Sequence, residues 1–320
     1  MTMQESASAN DHSNSPVESY GALLIRDDPT GRASVVFEKI CDFDAEAYHR
    51  YANAYWTVYD IISVNMFVFV KQSALEMFRI WEEASTALRE GKISHTDPDS
   101  FVEWGTRLRC SILAFCSTIH HHQEQNYIQV KKKFGEDSPE HIKMKTLFGE
   151  LYDDCFGYRY LYKLRNALVH YSMLALSLKG EARAHQGQTL AMFDVSMDRS
   201  VLLDMKGHLN AKLKTELRGL PGDPSVYQMA GEATSLLAEL NKKIVAILNP
   251  EIDELCSVIR EYDAIYEGRL GVRAIGHQQS PEMRPPFTTG YRAMSAKVFK
   301  AAHLRANLPP TAPATAEGLE

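Results

Sequence analysis

The sequence contains little cysteine: only five of its 320 residues, and no two of them form a CxxC pair. An odd number of cysteines without that spacing argues against a disulfide framework and against a thiolate zinc site. We therefore expect reduced thiols in a cytoplasmic protein. The cysteines are Cys41, Cys110, Cys116, Cys155 and Cys256.

Excess positive charge and long apolar runs are lacking as well. The formal net charge is −6, which argues against a protein that coats nucleic acid non-specifically, so any nucleic-acid contact requires a local basic patch. The most apolar run, residues 55–70, is interrupted by Asp60 and Asn65 and is too short to span a bilayer comfortably. The first residues are polar and show no signal sequence. These features predict a soluble protein without membrane contact.

The chain divides into three predicted regions. Residues 1–17 are rich in Ser, Asn and Asp and predict a disordered N-terminus. Residues 18–270 contain the apolar positions needed for one globular domain. Residues 271–320 contain six prolines and predict a flexible C-terminal tail. Within this tail, residues 291–306 fit a short basic amphipathic helix, for which docking on its own chain or solvation is favoured over binding a partner.

The 18–270 region is dominated by helical periodicity. Turn and capping residues at Asp97–Ser100 and at Ser138–Glu140 begin two of the predicted helices. Only residues 189–195 alternate like a strand, and 33–38 is a strand-like segment with which they would pair. The predicted fold is all-α, an elongated up-down helical bundle with flexible termini and room for one short β-hairpin. The predicted helices span residues 45–88, 101–134, 138–178, 200–217 and 225–266, the last with a break at Asn249-Pro250.

The segment 162–171 carries the most specific chemistry, because it places Arg165, Asn166 and His170 within six residues of one predicted helix. Arginine remains charged while it holds a phosphate, and histidine moves a proton near neutral pH. At 100° per residue these side chains share a polar and basic arc of about 160°. The other members of that arc are Tyr158, Arg159, Tyr162 and Lys163. The complementary arc is apolar and predicts the core-facing stripe Phe156, Tyr160, Leu161, Leu164, Ala167, Leu168, Tyr171 and Leu174.

The motif predicts half of an active site. Asn166 and His170 are four residues apart and face the same way, whereas Arg165 and His170 are separated by about 140° of helical rotation. A second copy of the chain would bring two arginines and two histidines into one cleft. Val169 is apolar within the polar face and predicts a helix contact in such a homodimer.

The arginine, polar neighbour, spacer and histidine on a late helix of a helical chain resemble the HEPN superfamily (higher eukaryotes and prokaryotes nucleotide-binding domain). Only Arg165, Asn166 and His170 match a definable motif. The resemblance implies a four-helix, usually dimeric core and, in many members, a metal-independent endoribonuclease without a cofactor. It also implies a role as a toxin or phage-defence effector in the cytoplasm, with an antitoxin or another regulatory protein as a further partner.

The implied reaction is transesterification of RNA to a 2′,3′-cyclic phosphate and a 5′-hydroxyl. His170 would move the proton of the 2′-hydroxyl or of the leaving oxygen. Arg165 would stabilise the charge on the phosphate, and Asn166 would hold the phosphate or orient His170. Flanking RNA would contact Tyr158 and Tyr162 by stacking and Arg159 and Lys163 by charge.

Two alternatives stay open. The same helical shape also fits a non-catalytic module that binds RNA, a nucleotide or a protein. The run His120-His121-His122 with Glu124 looks like a metal site, because His120 and Glu124 share one helical face. His121 and His122 point elsewhere and no fourth ligand is evident, so we predict no metal.

Overall fold

The computed structural model describes residues 18–94, 96–185, 188–205, 209–284 and 290–307. The predicted disordered segment 1–17 lies outside the described residues. The chain forms two compact units, one made of the residues up to 62 together with those from 251, the other of residues 63–250. The candidate motif belongs to the second unit.

Six strands and ten α-helices follow one another along the described part of the chain. The strands are β1 Ser19–Asp27, β2 Val35–Phe43, β3 Leu176–His185, β4 Gln188–Met197, β5 Val272–Gln278 and β6 Tyr291–Ala293. The first five helices are α1 Ala45–Ser63, α2 Met66–Arg89, α3 Pro98–Phe134, α4 Pro139–Asp154 and α5 Phe156–His170. The remaining helices are α6 Arg199–Asp204, α7 Ala211–Gly219, α8 Val226–Leu248, α9 Ile252–Ala264 and α10 Ala296–Ala306.

The first unit combines a four-stranded antiparallel sheet with helices α1, α9 and α10. The strand order is β2-β1-β5-β6. Helix α9 and the turn that follows it are held to the sheet by two buried tyrosines: the Tyr262 hydroxyl donates to the carbonyl oxygen of Ala274 at 2.9 Å, and the Tyr266 hydroxyl donates to that of Leu23 at 3.1 Å. These bonds satisfy phenol groups that would otherwise be buried without partners.

The second unit is a set of packed helices with one β-hairpin. Helix α5 packs against α3, α4 and α8, and the β3–β4 hairpin lies on α2. The indole nitrogen of Trp81 donates to the carbonyl oxygen of Phe193 at 2.7 Å and so fixes the hairpin to the helix. The large apolar core includes Phe115, Phe148 and Tyr160, all fully buried.

Most helix boundaries follow local capping, as the sequence predicts. The Asp97 side chain accepts a hydrogen bond from the amide of Ser100, and the Ser138 hydroxyl accepts one from that of His141. Each cap precedes a proline at the first helical position, where the missing N–H costs nothing. The predicted break at Asn249-Pro250 is confirmed by the separation of α8 from α9.

The all-α prediction is wrong. The described residues form two antiparallel sheets with six strands beside the helices, and they do not form an up-down helical bundle. The missed strands carry weak signals. Strand β3 begins within the residues assigned to the 138–178 helix, and Lys179-Gly180, which resembles a helix stop, lies inside β3. At Gly180 a β-carbon would come within 3.3 Å of a methyl carbon of Leu88, so the glycine allows the strand to approach α2.

Strand pairing and the C-terminal segment also differ from expectation. The predicted strands 33–38 and 189–195 overlap β2 and β4, but β2 pairs with β1 and β4 pairs with β3. The predicted tail contributes β5, β6 and α10 to the first unit. Helix α10 buries Val298 and Phe299, in agreement with docking on its own chain.

Among the described residues, one helical stretch, Ala45–Arg89, is long and apolar enough to cross a membrane by length and composition. Core helices of soluble proteins share these properties. Asn65 interrupts this stretch between α1 and α2, where its side chain caps α2 by accepting from the amide of Phe67 at 2.8 Å.

Candidate functional site

Helix α5, which carries the motif, begins at a sharp junction with α4. Cys155 leaves the helical conformation with φ −103° and ψ 106°. Its sulfur accepts a hydrogen bond from the amide of Tyr158 at 3.2 Å, and a carboxylate oxygen of Glu232, on α8, accepts one from the amide of Gly157 at 3.0 Å. A carboxylate at a helix N-terminus is favourable because it faces free N–H groups and the positive end of the helix dipole. The junction is therefore stabilised by hydrogen bonds from amides at the start of α5 to the side chains of Cys155 and Glu232. No proline marks it in the sequence.

Arg159 closes the other side of this junction. One terminal nitrogen of its guanidinium donates to the carbonyl oxygens of Tyr152 and Asp153 at 2.6 and 2.7 Å, which are free because α4 ends there. The other donates to Glu216 at 2.6 Å, and Tyr160 donates to the same carboxylate at 2.8 Å. Arg159 therefore caps α4.

Two of the residues predicted to bind RNA, Arg159 and Tyr158, thus lie on the buried side of α5. Arg159 is 9% exposed and has its partners within the fold, and Tyr158 is fully buried with its hydroxyl donating to Gln123 at 2.9 Å. The physical reason is that the helix break creates unpaired carbonyls for Arg159, and that α3 supplies an amide acceptor for the Tyr158 hydroxyl. Neither residue is placed to stack on a base or to meet a phosphate in this conformation.

The motif itself lies on the last two turns of α5. A guanidinium nitrogen of Arg165 donates to the amide oxygen of Asn166 at 3.2 Å, and both side chains are half-buried. The buried Nε of Arg165 forms no hydrogen bond with any described residue. His170 is exposed and is the last residue of the helix. The three groups lie together at the C-terminal end of α5, with His170 exposed and Arg165 and Asn166 half-buried.

A second histidine stands beside the motif. The ring of His120, on α3, lies 4.6 Å from the ring of Tyr162, centroid to centroid. Its Nδ1 is 3.3 Å from a carboxylate oxygen of Glu124. Burial lowers the pKa of His120; the charge of Glu124 opposes the shift, and the charge of Arg165 adds to it. The rings of Tyr162 and His120 therefore lie side by side next to the motif, and both are partly buried.

Lys163, the remaining predicted RNA contact, is half-buried against an aromatic ring. Its ammonium nitrogen lies 5.9 Å from the centre of the Tyr152 ring, and burial lowers its pKa. Both Lys163 and Tyr162 keep part of their surface accessible.

An apolar edge borders the motif. Val169 is 44% exposed, and two residues predicted to face the core are more exposed still, Tyr171 at 56% and Leu174 at 71%. The core-facing prediction failed for these two because α5 ends at His170, so that the wheel no longer applies to them. Exposed apolar side chains in this number mark a contact surface more often than isolated ones do.

The other acidic and histidine positions do not gather into a metal-binding cluster. Over the described ranges, no group of three or more His, Cys, Asp or Glu side chains has the arrangement to hold a metal ion. His122 points into the core and is fully buried, whereas His121 points outward.

The contacts of His120 with Tyr162, and the roles of Glu216 and Glu232, were missed by sequence reasoning. The four-residue spacing of His120 and Glu124 gave a usable signal for their pairing. No local signal exists for Glu216 or Glu232, because they lie 57 and 75 residues along the chain from their partners. No protein-family model, curated protein or solved structure matches this chain.

Proposed function

We propose that this protein is a metal-independent endoribonuclease of the HEPN type, acting as a toxin or phage-defence effector. The observation that supports it best is the grouping of Arg165, Asn166 and His170 on the last two turns of α5, where a guanidinium nitrogen of Arg165 donates to the amide oxygen of Asn166 and His170 is exposed. A phosphate oxygen is a natural acceptor for such a guanidinium, since arginine matches phosphate geometry with two parallel donors.

The proposed reaction is attack of the ribose 2′-hydroxyl on the adjacent phosphorus. The P–O2′ bond forms while the P–O5′ bond breaks, leaving a 2′,3′-cyclic phosphate and a 5′-hydroxyl. His170 transfers a proton, Arg165 stabilises the negative charge that builds on the phosphate, and Asn166 holds Arg165 in place through their hydrogen bond. DNA lacks the 2′-hydroxyl and is expected to be resistant.

The apolar edge formed by Val169, Tyr171 and Leu174 supports the homodimer that we propose for this enzyme. Covering these three side chains with a second copy would remove apolar surface from water next to the motif. Light scattering of the wild-type protein and of Val169→Glu tests this: we expect a dimer that the glutamate dissociates. A monomeric wild type would contradict the dimer while leaving the chemistry open to its own test.

The activity is tested by incubating purified protein with RNA in EDTA, beside Arg165→Ala and His170→Ala. We expect cleavage by the wild type with cyclic phosphate ends, a loss of about 10²-fold or more in either variant, and no cleavage of DNA of the same sequence. Cleavage that survives both substitutions, or that requires a divalent metal, would refute the proposal. RNA binding without any cleavage would instead favour a non-catalytic module of the same shape.

Expression in cells gives a second readout. Growth arrest by the wild type that is relieved by His170→Ala would support a toxin or defence effector, for which an antitoxin or other regulatory protein is the expected partner. Equal toxicity of both forms would contradict that role.

A further inference from the structure

His120 and Glu124 form a pair beside the motif, and neither residue has a role in the reaction proposed above. They lie on the face of α3 that meets α5, and the two helices run in opposite directions there, since Gln123 meets Tyr158 and His120 meets Tyr162. Tyr162 is one helical turn before Asn166. The imidazole of His120 therefore lies beside α5 about one helical turn before Asn166.

The Glu124 carboxylate faces Nδ1 of His120. A carboxylate accepts but does not donate, so its position 3.3 Å from Nδ1 favours a proton on Nδ1 and leaves a lone pair on Nε2. The His120 side chain is 14% exposed, whereas that of His121, 3.8 Å from the same carboxylate, is 63% exposed. Only His120 is both oriented by the carboxylate and held against α5.

The electrostatic surroundings favour neutral His120 near pH 7. Burial is the largest cause that lowers the pKa of His120, and the positive charge of Arg165 acts in the same direction. The Glu124 carboxylate opposes them. A neutral imidazole with a free Nε2 is the form that a general base requires.

We propose that His120 is the general base of this site, oriented by Glu124, and that His170 of the same chain is the general acid; this rests on the proposed ribonuclease function. Nε2 of His120 takes the 2′-hydroxyl proton as the P–O2′ bond forms, and protonated His170 gives its proton to the 5′-oxygen as the P–O5′ bond breaks. The reaction ends with His120 protonated and His170 neutral, and no metal, water or co-reactant is consumed.

The two proton-transfer groups and the phosphate-binding residues follow one another along α5. Tyr162, which marks the position of His120, and His170 are eight residues apart, or about 12 Å along the helix axis. Arg165 and Asn166 lie between the two, where the phosphate would sit. One chain thus supplies both proton-transfer groups.

The first experiment measures cleavage of a short RNA by His120→Asn, with His121→Asn as the matched control. We expect kcat to fall by about 10²- to 10⁴-fold for His120→Asn with little change in KM, and to stay within a few-fold of wild type for His121→Asn. Circular dichroism confirms that each variant is folded. Wild-type kcat in folded His120→Asn overturns the proposal.

The second experiment assigns the roles, using an RNA whose 5′-bridging oxygen is replaced by sulfur. A thiolate leaves without a proton, because thiol pKa values lie at about 8.5. Loss of the general acid should therefore leave the cleavage rate of this substrate unchanged, whereas loss of the base should lower it. We expect the substrate to restore His170→Asn but not His120→Asn. Restoration of His120→Asn instead would refute its role as the base.

Glu124→Gln separates positioning from packing. Because the carboxylate raises the pKa of His120, its removal should move the acid limb of the kcat/KM profile to lower pH while kcat falls. An unmoved limb would overturn the role of Glu124. These outcomes are distinct from failure of the proposed function, in which the wild type itself would not cleave either RNA.

Discussion

The buried imidazole of His122 should make folding of the second unit sensitive to mild acid. His122 is enclosed by the core: its ring lies 5.7 Å from that of Phe148 and 6.1 Å from that of Phe67, and neither ring nitrogen bonds to any described residue. Burial lowers its pKa to about 4. The protonated form is thus strongly disfavoured in the folded chain.

The sign and size follow from linkage. The unfolded chain binds the proton at a pKa of about 6.5, above the folded value, so the full stability is present above that pKa and is lost as the pH falls toward about 4. Between about pH 7.5 and 5.0 this single group should lower the free energy of unfolding by about 2 kcal/mol, and by about 3 kcal/mol once the pH has fallen below the folded pKa.

Urea unfolding of wild type and His122→Leu, each at about pH 7.5 and 5.0, isolates this effect. Trp81 and Trp104 lie in the same unit as His122 and report its unfolding by fluorescence. We expect the wild type to lose about 2 kcal/mol more than the variant over this interval. Subtracting the loss measured for the variant from that of the wild type removes the contributions of the other titrating groups, including His120. Equal losses, or an NMR titration of His122 near its ordinary pKa of about 6.5, would refute the reasoning.

Two further predictions concern the α4–α5 junction. Gly157→Ala should lower the free energy of unfolding by about 1–3 kcal/mol, because its β-carbon would lie 2.5 Å from the carbonyl oxygen of Met229, whereas Gly149→Ala meets nothing within 4 Å and should gain up to about 1 kcal/mol; denaturant melts that fail to separate the two would contradict this packing. Arg159→Met should cost about 3 kcal/mol, since it leaves Glu216 without its ion-pair partner and two α4 carbonyl oxygens without a donor. At low temperature, where the Arg159→Met variant is folded, its affinity for RNA should match that of the wild type. A loss of RNA affinity in the folded variant would show instead that Arg159 contacts RNA.

Local signals in the sequence predicted the beginnings of helices well. Asp97 and Ser138 each cap a helix by a side chain that bonds to an amide three residues away, and such a contact depends on sequence neighbours alone. Strands β1, β3 and β5 were missed because strand formation depends on pairing and packing rather than on local residues. Strand β1, for example, pairs with β5, so that Ala22 meets Ile275 from the far end of the chain.

The candidate site was predicted in part for the same reason. Arg165, Asn166 and His170 lie within six residues and share the end of one helix, so a wheel could group them. The wheel could not place Arg159 on the inside, because that position depends on carbonyls freed at Cys155 and on Glu216 from α7. It also could not show that His120 meets Tyr162, which requires the packing of α3 on α5.

The junction at Cys155 has a consequence for synthesis of the chain. The N-terminus of α5 is capped by Glu232, and Arg159, which caps the end of α4, is itself held by Glu216, so both supports lie well downstream of the motif. When residue 170 has just left the ribosome, every motif residue has emerged, but neither Glu216 nor Glu232 has. The helix then lacks the contacts that fix its direction, and a product truncated before α7 would carry the motif without Glu216 and Glu232. The final placement of the motif helix is thereby tied to completion of the second unit.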